Sequence, residues 1–315
     1  MPQTPRVVLA YSGVSSAKAI PQLAAAHRAD VVTLTVDLGQ GRVLEAVRDR
    51  ALDRGALRAH VMDARDEFAR EFLIRAIRAD VPDLPDVRIA VALARPLVAK
   101  KLSEIAEIED AAAIAYAACG RGRTFQALEA PLASLAAGRR IVAADVPDDR
   151  QAQPLVVKTP EECPANAAYV DVSFERGIPT AINGVAMPVL DLIESLGTIA
   201  AAHGLGASRP RDLRDAPAIG VLRAAHLELR RAAAPPEVDA LLHDVAKDYV
   251  AVLQSGGWFT LRRETLDIET TAANQPLNGD VRLKLLQGAI TCERVHPRPP
   301  GEPPRGAIAG RYRLL

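Results

Sequence analysis

The sequence predicts an α/β protein with an N-terminal domain built on a parallel sheet and a C-terminal α+β domain. Over the first half of the chain, short apolar runs alternate with segments of helical periodicity, which is typical of βαβ units. From about residue 168 onward, apolar and polar residues alternate and hairpin turns appear, as in antiparallel strands. These observations divide the chain into residues 1–160, residues 161–295 and a proline-rich tail at 296–315.

The elements of the N-terminal domain follow from the spacing of its apolar residues. Apolar runs that end in glycine or a polar turn predict buried strands, and amphipathic stretches between them predict helices. The predicted strands are 6–11, 31–39, 58–64, 111–118 and 139–145, and the predicted helices are 17–27, 44–55, 65–79 and 92–110. Strands joined by helices pair in parallel, and such sheets bind ligands at the carboxyl ends of their strands.

The elements of the C-terminal domain are predicted from alternation and from turn residues. In order they are a strand at 168–177, a hairpin at 178–187, helices at 188–204, 217–232 and 235–255, and strand residues within 281–292. Asn183-Gly184 favours a type I′ turn in the hairpin, and Gln287-Gly288 marks a turn in the last segment. Residues 296–306 are too rich in proline to pack, which predicts a linker or an arm.

The composition excludes several classes of function. The chain has 39 Lys+Arg and 39 Asp+Glu residues, so it lacks the surplus of positive charge that nucleic-acid binding requires. Its three cysteines have no CxxC or Cys/His spacing, which argues against a disulfide framework and a structural zinc site. No apolar run approaches the roughly 18 residues of a membrane span and no signal peptide is visible. We therefore expect a cytoplasmic protein with no nucleic-acid or membrane partner.

The first strand-to-helix turn, at residues 11–17, is where a sheet of this kind binds phosphate. Phosphate loops use the N–H groups of small residues for the anion and a carboxylate or hydroxyl for Mg²⁺. This turn contains a single glycine, Gly13, together with three serines and no acid. By itself, a Ser-Gly turn of this composition is a weak signal for a nucleotide.

Several longer stretches match one enzyme family in order from end to end. They include VVLAYSG (7–13), DARDEFAREF (63–72), ALARPLVAKKLSEIA (92–106) and YVDVSFERGIPTAING (169–184). With them the chain resembles argininosuccinate synthase, a ligase of arginine biosynthesis that joins citrulline to aspartate with ATP. The resemblance implies a nucleotide-binding domain of the N-type ATP pyrophosphatase (HUP-like) kind, a C-terminal synthetase domain and a homo-oligomer.

The nucleotide loop departs from the family pattern. The family has Ser-Gly-Gly-x-Asp-Thr-Ser, whereas this chain keeps Ser12 and Gly13, has Val14 for the second glycine, lacks the aspartate and is one residue shorter. A valine side chain stands where the backbone approaches the pyrophosphate, so we interpret the nucleotide positions as vestigial. These positions are Ala10, Tyr11, Ser12, Gly13, Ser15, Ser16, Asp37 and Gln40. For the last two, a strand-ending turn that needs its glycines is the alternative interpretation.

The substrate positions that the resemblance implies are altered as well. They are Val87, Val91, Cys119, Gly120, Arg121, Arg123, Thr124 and Ala127. The family has a tyrosine and a threonine at the first two, and an asparagine, an aspartate and an arginine at the last three. The hydroxyl, amide and charged groups that contact citrulline and aspartate are therefore missing. Arg121 and Arg123 fit an anion site at a strand end or, equally, a surface loop.

Three functions remain open at this point, and no catalytic or metal-binding residue is predicted for any of them. The chain is a degenerate member without the ligase reaction, which binds a ligand or scaffolds a protein partner and has no certain cofactor. Alternatively, it is a repurposed ligase that uses ATP and Mg²⁺ on another substrate, with a pocket rebuilt around Ser12, Ser15, Ser16, Arg121 and Arg123. Persistence of the family reaction would require adenylation of citrulline without the loop that holds the pyrophosphate.

Overall fold

The chain divides into two units, and each of them consists of three segments of sequence. The computed structural model describes residues 4–13, 16–39, 43–83, 89–119, 123–136, 138–146, 159–205, 217–299 and 301–302. Unit 1 holds the described residues within 1–65, 91–153 and 252–263, and unit 2 holds those within 66–90, 154–251 and 264–315.

A parallel sheet with the strand order β3-β2-β1-β4-β5 forms the centre of unit 1. Its strands are β1 (Arg6–Ala10), β2 (Asp30–Asp37), β3 (Arg58–Asp63), β4 (Ala113–Cys119) and β5 (Arg140–Val146). β1 lies between β2 and β4, with Val8 beside Val32 on one side and Ile114 on the other. All three side chains are fully buried, which explains why the central strands are apolar without alternation.

Helices connect these strands and bury one face of the sheet. α1 (Ala19–His27) joins β1 to β2, α2 (Val43–Asp53) joins β2 to β3, α5 (Ile89–Ile108) precedes β4, and α6 (Arg123–Leu135) joins β4 to β5. Ile20 of α1 and Val47 of α2 belong to one apolar cluster with Val7 and Leu9 of β1. α1 ends where Arg28 adopts a left-handed conformation and its N–H donates to the carbonyl of Ala24.

Unit 2 contains an antiparallel sheet with the order β10-β9-β6-β7-β8. Its strands are β6 (Ala168–Glu175), β7 (Ile178–Ile182), β8 (Val185–Ala186), β9 (Gly279–Leu286) and β10 (Ala289–Pro297). The helices are α3 (Arg65–Glu67), a π-helical turn (Phe68–Leu73), α4 (Ile74–Arg78), α7 (Val189–Ala202), α8 (Ala218–Ala233), α9 (Pro236–Ser255) and α10 (Leu261–Ala273). Short 3-10 turns lie at Pro160–Glu162 and Gly257–Phe259. By sequence, Arg65 of α3, the last four residues of α9, the turn at Gly257–Phe259 and the first three residues of α10 belong to unit 1. α8 packs on β9 and β10, where Leu229 approaches Gly279 closely enough to exclude a larger residue.

The predicted fold class is confirmed, with a parallel sheet followed by an antiparallel one. The turn Asn183-Gly184 has φ values of 51° and 77°, and Gln287-Gly288 has 48° and 80°, so both pairs are left-handed as type I′ turns require. α6 and α10 had not been predicted. The prediction that 296–306 does not pack is wrong at its start, because β10 includes Pro297 and Arg298 is buried. A proline is tolerated there since β10 is an edge strand.

Within the described residues, no helix is both long enough and apolar enough to span a membrane.

Candidate functional site

The carboxyl end of β1 begins the candidate nucleotide site in unit 1. Just after the strand, the Tyr11 N–H donates to the carbonyl of Leu34 at 2.8 Å, and its carbonyl accepts from the Thr35 hydroxyl at 3.1 Å. These bonds extend the pairing of β1 with β2 by one residue. Ala10 is therefore the last strand residue, and the loop starts at Ser12.

The loop is closed by a hydrogen-bond pair centred on Ser16. The Ser16 hydroxyl accepts from the N–H of Ser12 at 3.0 Å and donates to the carbonyl of Gly13 at 3.2 Å. Ser16 is 2% exposed, and Gly13 has a φ of 112°, a conformation that side chains disfavour. Two polar groups predicted to contact phosphate thus bond to each other. Ser15, also predicted there, lies outside the described residues.

A positively charged side chain that the sequence analysis missed lies beside this loop. Arg50 of α2 places its Nη1 atom 3.8 Å from where a Cβ on Gly13 would be. Burial raises the pKa of the nearby Tyr11 phenol, while Arg50 and Arg54 act in the opposite direction. The phenol oxygen has no hydrogen-bond partner among the described residues. Arg50 is 37 residues beyond Gly13 in sequence, so only the packing of α2 against the strand ends reveals it.

Asp37, at the end of β2, forms a hydrogen bond within the turn that follows the strand. Its Oδ1 accepts from the N–H of Gly39 at 2.7 Å, and Gly39 has a φ of 104°. The backbone carbonyl of Asp37 accepts from Ala64 at 3.0 Å. This geometry supports the interpretation as a strand-ending turn. Gln40 lies outside the described residues, and the described part of the chain contains no group of three metal-ligating side chains.

The predicted substrate positions that the structure describes lie at the end of β4, in the first turns of α6 and in the first turn of α5. Ala10 of β1 pairs with Tyr116 of β4, and β4 continues to Cys119, so both strands end at the same edge of the sheet. Arg123, Thr124 and Ala127 lie in the first turns of α6, for which the backbone alone is described. Val91 lies in the first turn of α5 and is partly buried. Val87, Gly120 and Arg121 fall outside the described residues.

Comparison with known proteins agrees with this architecture. The family model for the argininosuccinate synthase N-terminal HUP domain matches residues 6–152, and that for the C-terminal domain of the same enzyme matches residues 153–297. Argininosuccinate synthase from Acaryochloris marina is 31% identical and covers 92% of this chain and 88% of its own length. The enzymes from Rubrobacter xylanophilus (30% identical, 91% and 84% covered) and Chlorobium chlorochromatii (29%, 91% and 87%) are similar to the same extent. With both halves matched in order, the chain belongs to the argininosuccinate synthase family.

Proposed function

We propose that this member of the family has lost the ATP-dependent condensation of citrulline with aspartate and has a binding or scaffolding role. The observation that supports the proposal is the bonded pair formed by the Ser12 N–H and the Ser16 hydroxyl. In the family reaction these groups would face the polyphosphate, and here they satisfy each other.

Binding ATP in the family manner would require this pair to open. Each hydrogen bond contributes about 0.5–1.5 kcal/mol net, so a phosphate would have to replace two of them before any binding is gained. Asp37 does not compensate for the missing loop aspartate, because its carboxylate caps the turn at Gly39. A polyphosphate without a carboxylate-held Mg²⁺ keeps its full charge, which opposes the reaction.

The amino-acid side of the site supports the same proposal. Val87 and Val91 replace hydroxyl-bearing residues, and Ala127 replaces an arginine that could pair with a carboxylate. A site built to hydrogen-bond a substrate discriminates strongly, and aliphatic replacements remove that basis for recognising citrulline and aspartate.

A repurposed ligase is the second candidate, and the position of Arg50 favours it. A guanidinium near Gly13 can pair with a phosphate and so replace part of what the loop lost. This function uses ATP and Mg²⁺ with a substrate other than citrulline.

Calorimetric titration of the full chain with ATP and Mg²⁺, with and without citrulline and aspartate, separates the two functions. Under the first proposal no saturable heat appears at millimolar ATP and no pyrophosphate is released. Saturable heat that disappears in Arg50→Gln, but persists in the exposed control Arg48→Gln, would show that the loop still binds ATP and would favour the repurposed ligase instead. Formation of argininosuccinate by the unmodified protein would overturn both.

We also propose that the chain forms a homo-oligomer, as the family does. If the chain has a scaffolding role, we propose that it binds a protein partner and not a small molecule. Light scattering coupled to size-exclusion chromatography tests the first part, and a mass of 33.6 kDa would contradict it.

A further inference from the structure

A pocket of about 480 Å³ lies between α8 and α9 in unit 2. Its walls include Arg223, Leu227 and Arg230 of α8, and His243, Lys247 and Val250 of α9. On each helix these residues recur at spacings of three or four, so they lie on one face. A volume of this size is typical of small-molecule sites.

Asp80 closes one side of the pocket, and both of its oxygens are already bonded. Oδ1 lies 2.8 Å from His226 Nδ1, and Oδ2 accepts from Arg230 Nη1 at 2.5 Å. Asp80 and His226 are buried, and both carboxylate oxygens of Asp80 are occupied by these two partners.

Both ring nitrogens of His226 face oxygen atoms of buried side chains. The Asn274 Nδ2 group donates to the carbonyls of Arg78 (3.0 Å) and Thr270 (2.9 Å), which fixes the orientation of the amide. Its Oδ1 therefore faces His226 Nε2 at 2.8 Å as an acceptor. Nδ1 thus faces a carboxylate oxygen and Nε2 faces an amide oxygen. The charge of Asp80 is offset by the Arg230 guanidinium, to which its Oδ2 is paired.

Arg223 has no counter-charge among the described residues. Arg230 pairs with Asp239 at 2.9 Å in addition to Asp80, and Lys247 pairs with Asp244 at 3.1 Å. No carboxylate of the described residues pairs with Arg223, and its buried Nε has no hydrogen-bond partner there. A buried guanidinium donor without a partner is unfavourable unless a ligand supplies the acceptor.

We propose that this pocket binds a small organic carboxylate whose apolar body packs on Leu227 and Val250. One carboxylate matches one guanidinium, since the two groups form charge-assisted hydrogen bonds. A polyphosphate would need more unpaired cations than the described walls provide. The site belongs to unit 2 and does not depend on whether the loop at Ser12 binds ATP.

The test compares hexanoate with hexan-1-ol, which has the same chain length and no charge, by calorimetric titration of the full chain. We expect saturable one-site binding of hexanoate and at least about tenfold weaker binding of the alcohol. Arg223→Gln should weaken hexanoate binding by about tenfold or more, and Arg223→Lys should retain part of it. Arg231→Gln is the matched control, because Arg231 lies on the same helix, is exposed and pairs with Glu228.

Equal affinity for the acid and the alcohol would overturn the proposal, and this comparison needs no variant. The absence of saturable hexanoate binding would also overturn the proposal. So would an Arg223→Gln protein that folds normally by circular dichroism and binds hexanoate as tightly as Arg231→Gln does. Shifts of backbone amides in α8 and α9 on adding hexanoate support the location, and shifts confined to unit 1 contradict it.

Discussion

Ser16 shows how a residue that resembles a ligand contact can become a structural one. Its hydroxyl bonds to Ser12 and Gly13 within the loop, and the side chain is buried. The sequence could place a serine here but could not show which partner its hydroxyl would have. Arg50 was missed for the same reason, because its approach to Gly13 depends on the packing of α2.

We expect Ser16→Ala to destabilise the protein by about 1–3 kcal/mol, because the Ser12 N–H and the Gly13 carbonyl both lose a buried partner. Urea denaturation measures the change. Ser12→Ala is the control: its side chain is exposed, so the change should stay within about 0.5 kcal/mol. Equal stability of Ser16→Ala and Ser12→Ala would show that the bonded pair does not hold the loop.

Glu109 is a second residue whose role depends on its neighbours. Its side chain is 1% exposed, and its carboxylate accepts a hydrogen bond from Arg58 at 2.9 Å. The carboxylate also lies 2.8 Å from His60 Nε2 and 3.3 Å from Arg6 Nη1. Burial raises the pKa of Glu109, but the hydrogen bonds from His60 and Arg58 outweigh burial, and the net pKa lies below its ordinary value. Arg6 begins β1 and Arg58 begins β3, so the cluster joins the amino ends of two strands in unit 1.

A carboxylate whose pKa is lower in the folded chain stabilises the fold at any pH above its unfolded pKa, which is about 4.3 for glutamate. That stabilisation is lost as the pH falls through the lower folded value. We therefore expect Glu109→Gln to cost about 1–3 kcal/mol at pH 7, with exposed Arg58 limiting the effect, and to cost progressively less below about pH 4. Urea denaturation of both proteins at several pH values measures the difference, and a cost that does not change with pH contradicts this assignment.

At the scale of elements, periodicity predicted those helices and strands that have a strong apolar pattern. α10 was missed because only Leu266, Thr270 and Ala273 are buried in its 13 residues, which leaves little helical signal. The π-helical turn Phe68–Leu73 could not be predicted, because widening one turn leaves the composition of the helix unchanged. The end of β10 was misjudged because proline content was weighed without knowing that the strand lies at an edge.

The turn between β6 and β7 yields a prediction at this scale. Gly177 has a φ of 73°, and a Cβ there would meet Asn274 Oδ1 at 1.9 Å. Asn274 cannot move freely, since its amide also bonds His226 and the carbonyl of Thr270. We expect Gly177→Ala to destabilise the protein by about 3–5 kcal/mol, as backbone strain and overpacking combine.

Gly55→Ala is the matched control: φ is 92° there, but a Cβ meets nothing within 4 Å, so only about 1–2 kcal/mol of strain is expected. Thermal unfolding compares the two, and equal losses would mean that the contact with Asn274 is relieved without cost.

At the scale of the whole molecule, the chain keeps the fold of the family, and the changes that we predict at ligand-binding positions lie on that framework. Both sheets have apolar interiors, and hairpin turns such as Asn183-Gly184 retain the geometry that their residues favour. The sequence therefore predicted the family and the fold, because these depend on patterns that extend over many residues. It could not predict how the altered sites are used, because that depends on single contacts such as the one between Ser12 and Ser16.

The proposed loss of the reaction rests on two separate sets of changes, one in the nucleotide loop and one at the amino-acid positions, and we expect each to abolish it alone. Replacing residues 14–17 by Gly-Val-Asp-Thr-Ser would restore the length, the second glycine and the aspartate of the family loop. We expect saturable heat with ATP and Mg²⁺, because backbone N–H groups can again approach the phosphates and a carboxylate is present. We expect no argininosuccinate, since Val87, Val91 and Ala127 still lack the groups that contact citrulline and aspartate.

Calorimetry and an assay of pyrophosphate release measure the two outcomes. The control is the same graft with asparagine in place of its aspartate, which keeps the length of the loop and removes the charge. ATP binding that is identical in the Asp and Asn grafts would mean that the carboxylate is not what the loop lacks. Formation of argininosuccinate by the Asp graft would show that the loop alone separates this chain from its relatives. The amino-acid positions would then be variations that the reaction tolerates.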